Sequence, residues 1–288
     1  MKCIITLSAL LIASTLFAQE PIEVRDGSVA FEGGTYASYT VTIHETDGNF
    51  VEREWKTQIK AASDKVTTKK EWFIDNARIS SISQDTLDIY SKVIDLKKTG
   101  NVDFIVAFNS NGTFIGPEDE KKHAAAMKYV YDFAFRTTKQ IVNEQVEEAE
   151  KTLEKSQKEL EALEKEKERL ETSIVKNNEK ISKSEGKIEE NGRELEKLSS
   201  DIDVKRSLVG SSNDEKDAKE LQKLLSTQNS TERDTDKQNS TIRSSKKKIE
   251  DAEYDLERNE TKTQEKQLEI EENTKKLDSA RAKLMNIK

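Results

Sequence analysis

Val146, Leu153, Leu160, Lys167, Ile174, Ile181, Ile188, Leu195 and Ile202 stand seven residues apart. Three residues further on runs a second series: Ala149, Ser156, Leu163, Leu170, Asn177, Ser184, Asn191 and Leu198. Leu221 opens a third, through Gln228, Thr235, Ile242, Ile249, Leu256, Thr263, Ile270, Leu277 and Leu284, accompanied by Leu224, Ala252, Asn259, Asn273, Ala280 and Ile287. Apolar positions alternating by three and four, with Glu and Lys between them, specify coiled-coil helices. About half of the chain therefore reads as a helical rod.

The rod is interrupted at Val209-Gly210-Ser211-Ser212-Asn213-Asp214, where Gly, Ser and Asn favour a turn and Asp214 suits a helix cap. Folding the chain about Asn213 places position i opposite 426 − i. Val146 then meets Ala280, Leu170 meets Leu256, Ile174 meets Ala252, Ser184 meets Ile242 and Ile202 meets Leu224. Most layers hold a large apolar residue; Lys167 with Asn259 and Asn191 with Thr235 do not. A slip of one whole heptad also keeps seam on seam, and the turn residues favour the register about Asn213. The pattern favours a monomeric antiparallel hairpin over residues 141–288, turning near 209–215. A parallel homodimer uses the same heptads and is the alternative. Arms of roughly 70 residues would extend ~105 Å at 1.5 Å per residue. Ser226–Thr241 contains no apolar residue, and Gly186 and Gly192 weaken the first arm.

Residues 22–140 have another character. Tyr39-Thr40-Val41-Thr42-Ile43 is β-branched and aromatic, which predicts a strand. Asp47-Gly48-Asn49 breaks it, and Phe50, Val51, Trp55, Ile59 and Ala62 predict an amphipathic helix over 48–62. Further strands are expected over 71–79, 88–96 and 103–108, with Phe104, Val106 and Phe108 on one face and Ile105 and Ala107 on the other. After Gly116, Pro117-Glu118-Asp119 predicts a helix start. That helix carries Met127, Tyr129, Val130, Phe133, Ala134 and Ile141, a stripe wide enough to cover the sheet before running on as the first arm. The expected fold class is α+β: a small antiparallel sheet covered by helices, then a long antiparallel coiled-coil hairpin.

Residues 1–18 predict a signal peptide: Lys2, the apolar run Ile4–Ile12, and Ala18 before the polar Gln19-Glu20. The run is too short for a membrane helix of ~20 residues, and no second apolar run of that length follows it. The expected compartment is outside the cytoplasm, in the periplasm, in the medium or at the cell surface. Cys3 is the only cysteine and leaves with the signal, so stability rests on packing. A formal net charge of −8, with both signs mixed along the helices, argues against a nucleic-acid partner.

The sequence nominates no catalytic, cofactor-binding or metal-ligating residue. His44 and His123 lie outside any motif, and no His/Cys metal pattern, phosphate loop or nucleophile elbow occurs. Asn109-Ser110-Asn111-Gly112 followed by Glu118 has a partial likeness to a calcium loop. Ala107 occupies its first ligand position, so a hairpin end is expected there instead. Trp55, Trp72, Phe73, Tyr90, Tyr129, Tyr131 and Phe133 are the remaining candidates, expected as core and, secondarily, as pocket lining.

The stretches Glu71-Trp72-Phe73-Ile74-Asp75-Asn76-Ala77 and Asp85-Thr86-Leu87-Asp88-Ile89-Tyr90-Ser91-Lys92, with Val106-Ala107-Phe108 before the Gly112 turn, resemble an uncharacterised family. Its members are exported proteins of Bacteroidetes-type bacteria, with a small α+β domain followed by a long coiled coil. The resemblance spans most of the chain after the signal, with residues 37–135 carrying its weight. It implies the compartment and the architecture, and no activity, cofactor or catalytic residue. The expected function is a non-enzymatic envelope protein with a protein partner, its rod used for spacing or recruitment. A ligand- or peptide-binding α+β domain, with the coiled coil for oligomerisation, is the alternative.

Overall fold

The computed structural model describes residues 21–63, 65–68, 71–212 and 214–287. The expected signal peptide, 1–18, and Asn213 lie outside these residues. The described chain forms two compact units: residues up to Thr152 together with Asn273 onward, and Leu153–Glu272. The fold is α+β with a long helical hairpin, as the sequence predicts.

The first unit is built on β1 (Val24–Phe31), β2 (Gly34–Ile43), β3 (Val66–Thr68), β4 (Trp72–Ala77), β5 (Leu87–Leu96), β6 (Asn101–Ser110) and β7 (Thr113–Phe114). They form one antiparallel sheet in the order β1-β2-β6-β5-β4-β3, with β7 pairing to β6. The helix α1 (Gly48–Lys60) follows β2. Its Asp47 cap accepts from the Phe50 N–H at 3.0 Å, satisfying one of the free donors of the first turn. Asp95 on β5 accepts from the Gly48 N–H at 2.7 Å and ties that end to the sheet.

Period-two alternation sorts the central strand β6 into two faces. Val102, Phe104, Val106 and Phe108 enter the main core with Tyr39, Val41, Ile43, Ile74, Leu87 and Ile89. The helices supply Val51, Trp55, Ile59, Val130, Phe133 and Ala134 to the same core. Trp55 lies 4.8 Å from Phe104 and 5.3 Å from Phe133 between ring centroids, and its indole N–H donates to Ser91 Oγ at 2.9 Å. The one polar atom of a buried side chain thus finds a buried partner.

The covering helix is α2 (Glu120–Ser212). It starts later than Pro117 predicts. Asp119 is the residue whose carboxylate can accept from a first-turn donor, and it takes the Lys122 N–H at 3.1 Å. Its stripe Ala126, Val130, Phe133, Ala134 and Ile141 joins the main core, and the helix runs on without a break to Ser212. The final helix α3 (Glu215–Asn286) opens beside Asp214, whose carboxylate accepts from the Lys216 N–H at 2.9 Å. Helix therefore fills most of the expected 209–215 turn.

In the second unit the two helices pair antiparallel in the register favoured by the turn residues. Asn191 donates to Thr235 Oγ1 at 3.2 Å, the facing pair that folding about Asn213 predicts. Lys266 reaches Glu159 at 2.6 Å, and Lys167 reaches Glu260 at 3.5 Å. Among its described residues, those buried in this unit are Ser156, Asn177, Ser184, Leu198, Ile202, Thr231, Gln238, Ser245, Ala252 and Asn259. All lie on seam positions, and seven of these ten are polar. On α3 the companion series is continued by Thr231, Gln238 and Ser245, buried more deeply than Gln228 or Thr235.

Candidate functional site

The second face of the sheet carries the most concentrated group of aromatic side chains outside the main core. Phe31, Ile105 and Ala107 are buried there, with Val29, Tyr36, Tyr90 and Phe114 packed against them. Alternation puts these residues opposite the main core: Phe31 pairs with Gly34, Val29 with Tyr36, and Tyr90 with Ala107. Ala107 is the small residue in the central strand, and it leaves room for rings from flanking strands to meet above it. Tyr36 stacks on Phe114 at 4.0 Å and 12° and on Phe31 at 5.8 Å and 19°. Tyr90 approaches Tyr36 at 5.3 Å and Phe73 at 4.9 Å.

The end of the β1–β2 hairpin folds over this face. Strands β1 and β5 are not neighbours, yet the Lys92 ammonium on β5 donates to the Ala30 carbonyl and sits 4.7 Å from the Phe31 ring centroid. Lys92 also pairs with Glu71 at 3.5 Å, and Glu71 accepts from the Glu32 N–H at 2.7 Å. Both charged side chains are mostly shielded, at 17% and 18% exposure, so their pairing counters a real desolvation cost. Glycines make the fold-over possible. Gly34 adopts φ +145°, and a Cβ there would stand 3.1 Å from Tyr36 Cε1; a Cβ at Gly33 would run into the Tyr36 hydroxyl. Chemically the face offers interlocked rings with a screened ion pair at one side, an arrangement suited to packing and contact.

The sequence-nominated aromatics divide between the two faces. Trp55, Trp72 and Phe133 are buried in the main core, with Tyr129 packed against it. Burial raises the Tyr129 phenol above its ordinary pKa, while a hydrogen bond to Gln58 and the Arg136 charge work against that. Phe73 and Tyr90 join the second-face cluster, and Tyr131 stacks on Phe135 at 6.2 Å. Sequence reasoning missed Phe31, Tyr36 and Phe114. The signal that would have found Phe31 and Tyr36 is the spacing Val29-x-Phe31 followed by Tyr36, a same-face pair and a single ring flanking a Gly-Gly turn.

His123, in the first turn of α2, lies 3.0 Å through Nδ1 from the Tyr39 hydroxyl, with its Nε2 4.0 Å from Asp26. The Tyr39 hydroxyl donates to the Ile115 carbonyl at 3.2 Å. Burial, then the charges of Asp26, Asp119 and Glu118, push the Tyr39 phenol well above its ordinary range, so it stays protonated. This group pins the start of α2 to β1 and β2 and provides no activated nucleophile. His44 directly follows the end of β2.

The Asn109–Gly112 stretch is a hairpin end, as expected. Asn111 and Gly112 adopt φ 55° and 84°, the two positive angles of a type I′ turn, and Gly112 N–H donates to Asn109 Oδ1 at 2.9 Å. Among the described residues no group of three or more His, Cys, Asp or Glu is placed to hold a metal ion. Comparison with protein-family models and with curated proteins returns no match.

Proposed function

We propose that the protein is a non-enzymatic, exported envelope protein acting as a structural or protein-interaction module. In this reading the helical hairpin spaces or recruits, and a protein partner is engaged. The observation that supports it most is the hairpin itself. Two helices of 93 and 72 residues hold one register through a seam of Ser, Asn, Thr and Gln, an arrangement that specifies alignment at the expense of stability. A chain that fixes alignment over such a length uses it as a scaffold. The expected resemblance to exported α+β coiled-coil proteins points to the same compartment, periplasmic or at the cell surface. No helix among the described residues is long and apolar enough to cross a membrane.

A second reading, a ligand- or peptide-binding α+β domain, draws on the second-face cluster of Tyr36, Phe73, Tyr90 and Phe114. The two readings separate in one affinity experiment on envelope extract. The full chain without residues 1–18 is compared with a version in which Leu153–Glu272 is replaced by a short Gly/Ser loop. This cut leaves the first unit whole, including Asn273 onward. A partner retained only by the full chain supports the hairpin as the recruiting element. Retention by the shortened chain moves recognition to the sheet, and a Tyr36→Ser variant then tests the aromatic face.

A further inference from the structure

Both arms of the hairpin lose cohesion at the same level. On α3, Ser226–Thr241 carries no apolar side chain, and most of it is Ser, Thr, Asn and Asp, poor formers of helix interior. Its buried and half-buried members bond along their own helix. Thr231 donates to the Thr227 carbonyl at 3.1 Å, Thr235 to the Thr231 carbonyl at 3.0 Å, and Gln238 to Asp234 at 3.4 Å. Among the described residues of this level, Asn191 alone donates across the seam, to Asp234 at 3.1 Å and Thr235 at 3.2 Å. On α2 the same level holds Gly186 and Gly192, opposite Ser240 and Asp234 in the observed register. Both are exposed, and a Cβ added at either would meet no heavy atom within 4 Å. Packing therefore does not require glycine at these positions, and its remaining effect is to loosen the helix.

The flanks are held differently. Toward the turn, Leu198 and Ile202 are buried and Lys205 is bound by Asp217 at 2.8 Å and by Glu220. On the other side Ala252 and Asn259 are buried, and Lys266 bridges Glu159 and Glu269, each at 2.6 Å. We propose that the intervening level is a soft joint built into both arms: residues 184–195 of α2 and 226–241 of α3 open and bend together while the pairing on either side persists. Opening costs α3 no apolar contact of its own and transiently uncovers Ile188 and Leu195. This goes beyond the spacing role, because it gives the hairpin a defined place to yield.

Hydrogen exchange followed by mass spectrometry on the full chain tests it. Backbone amides of 184–195 and 226–241 should exchange at least about tenfold faster than those of 160–177 and 252–268, and faster than those of 198–208. Gly186→Ala and Gly192→Ala should each slow the joint about fivefold, the factor matching the Gly–Ala difference in helix propensity. Gln228→Leu with Thr231→Leu and Gln238→Leu should slow the α3 side further, leaving the flanks unchanged. Uniform protection along the hairpin would overturn the proposal, as would alanine variants that leave the joint's rates unaltered or slow every segment equally.

Discussion

The sheet unit and the hairpin unit bury side chains of opposite kinds. Trp55, Tyr39, Phe104 and Phe108 fill the sheet core at no more than 1% exposure, and their few polar atoms are bonded to buried partners. Among its described residues, the hairpin unit Leu153–Glu272 buries Ser156, Asn177, Ser184, Thr231, Gln238, Ser245 and Asn259 against three apolar residues. The Asn177 and Asn259 side-chain oxygens accept no hydrogen bond from the protein. A packed apolar core stabilises strongly but tolerates alternative packings; a polar seam stabilises weakly but penalises every misalignment. The chain thus separates the tasks of holding a fold and of holding a register.

That contrast can be broken first at its strong end. Trp55→Ala removes a large buried ring and leaves the Ser91 hydroxyl without its indole donor, so a loss of about 3–5 kcal/mol is expected. Both tryptophans lie in the sheet unit, so their fluorescence during denaturant unfolding, or that of Trp72 alone in the variant, reports that unit specifically. Gly34→Ala should cost about 1–3 kcal/mol by the same assay, because φ +145° is a glycine conformation and the added Cβ crowds Tyr36.

In the hairpin the sign reverses. Asn177→Leu removes a buried oxygen that has no partner and adds an aliphatic to the Ile174–Ile181 stretch. A gain of about 1–2 kcal/mol is expected in helix unfolding followed by circular dichroism. The same change should weaken discrimination against neighbouring registers.

The smallest effect concerns Glu45, where Lys283 near the end of α3 pairs at 2.7 Å and Gln145 donates at 3.1 Å. Burial alone would raise this carboxyl. Hydrogen bonds from Lys283 and Gln145, with the Lys283 charge, outweigh it and hold the pKa below the ordinary value. A depressed folded pKa contributes stability above the unfolded value, lost as pH falls through the folded one. Glu45→Gln should therefore cost less than about 1 kcal/mol at neutral pH. The difference from the wild-type chain should fade below about pH 4, measured by thermal unfolding.

Much of this organisation is legible in the chain, for reasons particular to each element. The heptads give the seam, and the turn residues around Asn213 choose its register, because a slip of one whole heptad also keeps seam on seam; the Asn191–Thr235 contact follows from the two together. Tyr39–Ile43, 88–96 and 103–108 read as strands because each offers β-branched or aromatic residues in alternation. Strand β1 escapes because Arg25-Asp26-Gly27-Ser28 interrupts its pattern; pairing with β2 along its whole length supplies what propensity does not. With β1 hidden, Phe31 had no visible face, and the aromatic cluster over Ala107 could not be assembled from spacing alone. In the His123–Tyr39–Asp26 contact, Asp26 and Tyr39 are paired across the β1–β2 hairpin, but His123 arrives from 84 residues beyond Tyr39, which no local pattern encodes.

The register of the hairpin is the feature on which the comparison rests most directly. In the chain without residues 1–18, and so without Cys3, Asn191→Cys combined with Thr235→Cys should oxidise to an intrachain disulfide in a monomer, identified by peptide mass mapping. Asn191→Cys with Gln228→Cys, one heptad away, should not cross-link. Exclusively interchain products, or efficient bridging in the displaced pair, would contradict an intrachain hairpin aligned by its polar seam.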